Sequence, residues 1–101
     1  MNQPNPNSQQ TVLITDDNPE NIFFLGEILK KHYNVKAATN GDEALRILWG
    51  KNPPSLVLMD VVMPEMDGFE VCRRLKSRPS SQNIPVIFVT ALDETIDETK
   101  G

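Results

Sequence analysis

The sequence predicts an α/β domain, a parallel sheet of four strands with right-handed crossovers and helices on both faces. Three observations predict it. Short apolar runs rich in branched residues, TVLIT, SLVLMD and IPVIFVT, recur along the chain; segments of helical period stand between them; and turns carrying Gly or Pro join the two. No repeat or heptad pattern competes with this reading. In open sheets of this kind the functional crevice lies beyond the carboxyl ends of the strands, where strand order reverses, so the strand ends are the positions to search.

Residues 1–10, MNQPNPNSQQ, hold one Met as their only hydrophobe and cannot bury enough apolar surface to offset the entropy of ordering, which predicts a disordered tail before a domain over residues 11–101. TVLIT, from Thr11, reads as a strand buried on both faces that stops at Asp16-Asp17. Asn18 then caps a helix: Pro19 suits the first turn, and Glu20 places negative charge at the positive end of the dipole. Ile22, Phe23, Phe24, Leu25, Ile28 and Leu29 carry this helix to about His32 and cover more than one narrow stripe, so it needs cover on two sides. A strand at Tyr33–Ala38 follows. Asn40 and Glu43 form a capping pair before Ala44, Leu45, Ile47 and Leu48, and Gly50 stops that second helix. After Pro53-Pro54, SLVLMD is expected to be the most buried strand and ends at Asp60. MPEMDG forms a turn; Phe69, Val71, Cys72 and Leu75 lie on a third helix that fades over Ser77–Ser81; Pro85 introduces a strand running through Val89 to Thr90. LDETIDETKG has the pattern of a helix beginning.

The 101 residues, 39% hydrophobic and 24% charged, suit one domain with one core. A net charge of -4 repels phosphate backbones and anionic lipid, so neither nucleic acid nor a membrane surface is an expected partner. The single cysteine, Cys72, can form no internal disulfide and reads as an inert buried thiol in a reducing compartment. No apolar run reaches the roughly 18 residues of a spanning helix and the N-terminus lacks a signal-peptide layout, so a cytoplasmic location is expected.

Asp16 and Asp17 end the first strand, Asp60 the third and Thr90 the fourth, which gathers three carboxylates and a hydroxyl on one rim. Carboxylates a few ångströms apart repel by about 4 kcal/mol at an effective dielectric near 20. A divalent cation removes that repulsion. Hard oxygen ligands suit Mg2+, which takes one or two protein carboxylates, keeps several waters and commonly shares a phosphate. Strand-end aspartates also cap helices, but a capping role alone does not account for three converging ones. His32 is placed at a helix end, Trp49 at the edge of the core, Met59, Met63 and Met66 as core and turn fillers, and Arg73, Arg74, Lys76 and Arg78 on a solvated face.

These residues carry a resemblance: the chain is similar to the receiver domain of two-component response regulators. The likeness rests on the apolar strand with Asp16-Asp17, LVLMD ending at Asp60, Met63-Pro64 with Met66-Asp67-Gly68, and PVIFVTA with Thr90 and Ala91, in the family's order and separations. It implies a flavodoxin-like doubly wound sheet of strand order 2-1-3-4. It implies that Asp60 is the phosphoacceptor, receiving a phosphoryl group from a histidine kinase or phosphotransfer protein, in a signalling domain that is not a turnover enzyme. Asp17 and Asp60 would contact Mg2+ directly, the backbone carbonyl of Val62 would complete the protein ligands, and Asp16 would act through a bound water. Thr90 would hydrogen-bond the phosphoryl group and move with it. Pro64 and Gly68 would shape the turn, the glycine by its backbone freedom. Val62 and Leu92, apolar where the family flanks the path of the hydrolytic water, imply slow loss of phosphate.

The family continues to a fifth strand ending in lysine and a fifth helix, which the chain does not include, so the domain is expected to be incomplete at its C-terminus. If these residues are the whole polypeptide, the strand ending at Thr90 and the first helix are expected to be exposed and to support a homodimer; the alternative is that they are part of a longer regulator. Two other readings stand beside this one. One is a receiver-like interaction module that no longer accepts phosphate. The other is a phosphatase with an aspartate nucleophile, which needs a second acid two positions after the nucleophile, a spacing Asp16-Asp17-Asn18 does not provide.

Overall fold

The computed structural model describes residues 10–89. The predicted tail, Thr90, Leu92 and the segment expected to begin a fourth helix lie outside these residues, Gln10 excepted. Seven elements alternate: β1 (Thr11–Thr15), α1 (Pro19–Leu29), β2 (Asn34–Ala38), α2 (Gly41–Leu48), β3 (Leu56–Asp60), α3 (Gly68–Lys76) and β4 (Val86–Val89). The strands form one parallel sheet in the order β2-β1-β3-β4, the predicted doubly wound topology.

Side-chain alternation divides the sheet into unequal faces. Leu13, Val57 and Met59 point to one side and pack with Ala44, Leu45 and Leu48 of α2 and Val71 and Leu75 of α3, forming the core. On the other side α1 lies over β1 and β2. Its inner stripe is half-buried Ile22, Leu25 and Leu29 with Gly26, where an added Cβ would sit 3.8 Å from Val35 Cγ1. No residue of α1 is fully buried, and Phe23, Phe24 and Ile28 are 69%, 55% and 53% exposed. Among the described residues this helix is covered on one side only.

That asymmetry overturns the expectation that SLVLMD is the most buried strand. Leu56 and Leu58 of β3 are half-buried, whereas Val12, Leu13, Ile14 and Thr15 of β1 are all buried. By alternation Leu56 and Leu58 share a face with Val12 and Ile14, and α1 reaches the β1 side of that face.

Local signals explain the helix ends. Asn18 Oδ1 accepts the Glu20 N–H, and Asn40 Oδ1 accepts the Glu43 N–H as expected, while Glu43 Oε1 turns back to the Thr39 N–H, one residue before the cap. α1 ends at Leu29, short of His32. The N–H groups of His32 and Tyr33 both donate to the Leu29 carbonyl, because the chain must turn for the Asn34 N–H to donate to the Gln10 carbonyl and open the β1–β2 ladder. His32 therefore sits in a turn, edge-on to Tyr33.

One further expectation changes and another gains detail. Cys72 is half-buried rather than buried. The basic residues of α3 and its exit are exposed but engaged: Arg73 and Arg74 bind Glu70, Lys76 Nζ donates to the carbonyls of Gln82 and Ile84, and the Arg78 guanidinium lies 3.6 Å from the centre of the Trp49 ring. Trp49 covers the core edge as predicted, and its Nε1–H donates to Ser81 Oγ, which donates in turn to the Leu75 carbonyl.

Candidate functional site

The parallel register sets the site. Thr15 of β1 pairs with Met59 of β3, so the next residues, Asp16 and Asp60, leave the sheet side by side on strands spaced about 4.8 Å apart. Asp16 and Asp60 are buried, at 5% and 3% exposure, and Asp17 is exposed. One carboxylate oxygen from each of the three lies within 4.8 Å of the others. At that separation and an effective dielectric near 20 each pair repels by about 3 kcal/mol, less for pairs that Asp17 makes in contact with solvent. The donor set is all oxygen, the chemistry of a hard divalent cation. Asp16, Asp17 and Asp60 are thus brought together as the sequence predicts.

Their surroundings differ. Asp16 is tied to the start of α1: Oδ1 accepts the Asn18 N–H at 2.9 Å and Oδ2 accepts Asn21 Nδ2 at 3.2 Å. Its own N–H donates to the Ala38 carbonyl of β2. Each of its oxygens thereby accepts one hydrogen bond, whereas Asp17 reaches solvent. Asp60 Oδ1 accepts the Val62 N–H at 3.3 Å, which places the Val62 backbone against this carboxylate; the Val62 side chain is 54% exposed. Thr90, the predicted hydroxyl, lies outside the described residues.

The segment after Asp60 is a constrained turn. The Met66 N–H donates to the Pro64 carbonyl at 2.7 Å across Glu65, whose φ of 72° makes this a tight three-residue γ-turn and the only non-glycine left-handed residue among those described. The Gly68 N–H donates to the Val61 carbonyl at 2.8 Å, and Asp67 Oδ1 caps α3 through the Glu70 N–H. Gly68 was expected to supply backbone freedom, but it does not adopt positive φ. Its requirement is space: a Cβ there would collide with the Asp60 carbonyl oxygen and lie 2.9 Å from Met59 Cγ.

Sequence reasoning did not find three residues around this site. Thr15, directly before the acids, is buried with its hydroxyl unpartnered. Gly41, first residue of α2, meets Met66: an added Cβ would stand 2.8 Å from Met66 Sδ and from Val71 Cγ2. On the outer side of the same turn, Arg73 and Arg74 hydrogen-bond the Glu70 carboxylate and hold it well below the usual range, at about 2, while Glu70 raises Arg73. The Met66-Asp67-Gly68 motif was the available signal for the turn. Its contact with α2 left none.

The family profile for the response regulator receiver domain matches residues 12–101. A probable cyclic di-GMP phosphodiesterase of Vibrio cholerae is 48% identical over 94 residues; the match takes in 93% of this chain and 21% of that protein, so the chain spans about a fifth of that relative's length. Among solved structures, the N-terminal domain of a response regulator receiver protein from Methanoculleus marisnigri is 36% identical with a TM-score of 0.78, covering 92% of this chain and 76% of that one. The receiver domain of a sensor histidine kinase from Pseudomonas aeruginosa, with a magnesium ion coordinated in its active-site cleft, is 26% identical with a TM-score of 0.77 over 91% of this chain and 75% of that one. The acid cluster at the ends of β1 and β3 therefore stands in a chain that belongs to the response regulator receiver domain family of two-component signalling.

Proposed function

We propose that the chain is a phosphoacceptor: a carboxylate oxygen of Asp60 attacks the phosphorus of a phosphohistidine on a histidine kinase or phosphotransfer protein, the P–N bond breaks, the imidazole takes up a proton, and an aspartyl phosphate forms. Asp17, Asp60 and the Val62 carbonyl would hold Mg2+, with Asp16 acting through a water. Bound there, the ion offsets negative charge on the acids and the incoming phosphoryl oxygens. The chain's own residues position the reactants. Asn18 and Asn21 orient Asp16, and the Val62 N–H fixes the Asp60 carboxylate. Thr90 would hydrogen-bond the new phosphoryl group and shift with it, passing the change to the surface in a domain that switches rather than turns over substrate.

The observation that carries this reading is the convergence of the three carboxylates within 4.8 Å at the strand ends of a receiver-family chain. The magnesium ion in the Pseudomonas aeruginosa relative supports the choice of metal. Incubation with Mg2+ and acetyl phosphate, followed by intact mass, is expected to add one phosphate to the wild type and none to Asp60→Asn. No addition to the wild type, or equal addition to the variant, overturns the reading. As to partners beyond the kinase, exposed Phe23, Phe24 and Ile28 on α1 and Ile87 on β4 favour a second copy docking on these surfaces in a cytoplasmic homodimer. Sedimentation should show concentration-dependent dimers, and a monomer at all concentrations would refute this.

A further inference from the structure

The segment from Val61 to Gly68 carries the backbone that touches Asp60, and its supports are few. At its C-terminal end the Gly68 N–H holds the Val61 carbonyl, and the absent side chain of Gly68 lets the start of α3 press on the Asp60 carbonyl. In its middle Pro64 and Glu65 are exposed, and Glu65 occupies the left-handed region, a conformation that surrounding structure must enforce. Two methionines of the segment pack inward, Met63 within the buried core and Met66 against it, and Met66 is the one that meets α2. Its side chain is packed against the core and seated on Gly41, where an added Cβ would lie 3.2 Å from Met66 Cβ. Met66 and Gly41 also border an open cleft of about 400 Å³ between the start of α2 and the turn, lined further by Asn40, Asp42, Pro64 and Asp67. The seat on Gly41 is therefore the packing contact that the turn makes with α2.

We infer that Met66 is a positioning residue for the acid cluster: seated on Gly41, it helps hold the turn that follows Val62, whose N–H bonds Asp60 Oδ1 and whose carbonyl would help hold the metal in the reading above. The inference rests on that reading for the metal and deepens it by naming α2 as part of the site's support. The start of α2 is itself rigid, held by the Asn40 and Glu43 capping pair, so it offers a fixed seat. Loosening the seat leaves every proposed ligand in place and disturbs only their mutual geometry. Loss of an outer support weakens metal sites by about 10-fold or more.

The test compares Mg2+ binding by isothermal titration in the wild type, Met66→Ala, Met66→Leu and Ile84→Ala, with the thermal midpoint of each recorded. Ile84 is also half-buried and packed on the core, but it lies away from the turn, so its truncation controls for stability alone. Met66→Ala is expected to weaken Mg2+ binding about 10-fold, the lower end of the cost of losing an outer support. Met66→Leu, which keeps the volume, should bind within about twofold of the wild type. Ile84→Ala should lower the midpoint without changing the affinity. Wild-type affinity in Met66→Ala, or an equal loss in Ile84→Ala, overturns the role of Met66. A wild type that binds no Mg2+ overturns the metal reading instead, so the two failures are distinct.

Discussion

Replacing Gly68 with Ala tests the turn beneath the acid cluster at its tightest point. Gly68 opens α3, so on propensity alone alanine would stabilise by up to about 1 kcal/mol. The surroundings forbid it. The new Cβ would overlap the Asp60 carbonyl oxygen and lie 3.1 Å from the Asp60 carbonyl carbon and 2.9 Å from Met59 Cγ. Two of these atoms belong to the backbone of a paired strand and cannot rotate away, so the overpacking cost falls near the upper end of the usual range of about 1–3 kcal/mol. The net loss is about 2 kcal/mol, a large share of the stability of a domain this size. With a urea m-value of about 1–2 kcal/mol per molar, the midpoint should fall by about 1–2 M. Urea unfolding followed by the fluorescence of Trp49, the only tryptophan, measures this directly. Gly50→Ala is the control, since its Cβ would meet only the Arg46 and Ile47 carbonyls at 3.3 and 3.5 Å on an exposed residue. That variant should stay within about 0.5 kcal/mol of the wild type. If Gly68→Ala is as stable as Gly50→Ala, the steric account of this glycine is wrong.

Thr15→Val replaces a buried hydroxyl that has no partner with a methyl of the same shape, and it should leave stability unchanged or raise it by about 1 kcal/mol; a loss of that size in the same urea assay would mean that the hydroxyl binds a buried water or another group. Glu70 gives a pH prediction. Its folded pKa, about 2, lies below its ordinary 4.5, so the unfolded chain binds the proton first and stability rises with pH between those values: the contribution is complete above about 4.5 and is lost as pH falls through about 2. Glu70→Gln should flatten the pH dependence of the urea midpoint in that window alone, and added salt should shrink the difference, because Arg73, Arg74 and Glu70 lie at the surface. An unchanged slope in the variant would show that these pairs contribute nothing measurable.

Much of this was legible in the sequence because its signals are local. Branched apolar runs marked the strands, and Asn18, Asn40 and Glu43 announced helix starts by chemistry that acts within four residues. The aspartates could be found because a parallel sheet sends every strand end to one rim. What stayed hidden depends on partners distant in sequence. Nothing near Gly41 signals Met66, and nothing near Gly68 shows that it meets a strand carbonyl rather than needing unusual φ. The greater burial of β1 over β3 reflects which strands α1 covers, a tertiary fact that the more apolar look of SLVLMD concealed. The partners of Lys76 and Arg78, the carbonyls of Gln82 and Ile84 and the ring of Trp49, carry no charge pattern that the sequence could show.

The site also follows from a reversal in the sheet. From β1 the chain crosses α1 to β2 on one side, then crosses α2 to β3 on the other, so β1 and β3 are the neighbours between which the winding changes direction. Helices that follow these two strands leave to opposite faces, α1 to one and α3 to the other, which leaves a gap above the strand ends. Asp16 and Asp60 border that gap in matched register, and a slip of one residue between β1 and β3 would turn one of them to the other face. The same register sets Thr15 beside Met59 and so holds the core directly beneath the acids. Burial there withholds water from Asp16 and Asp60 while Asp17 stays open, so the cluster meets solvent on the Asp17 side, above carboxylates whose backbone is already fixed.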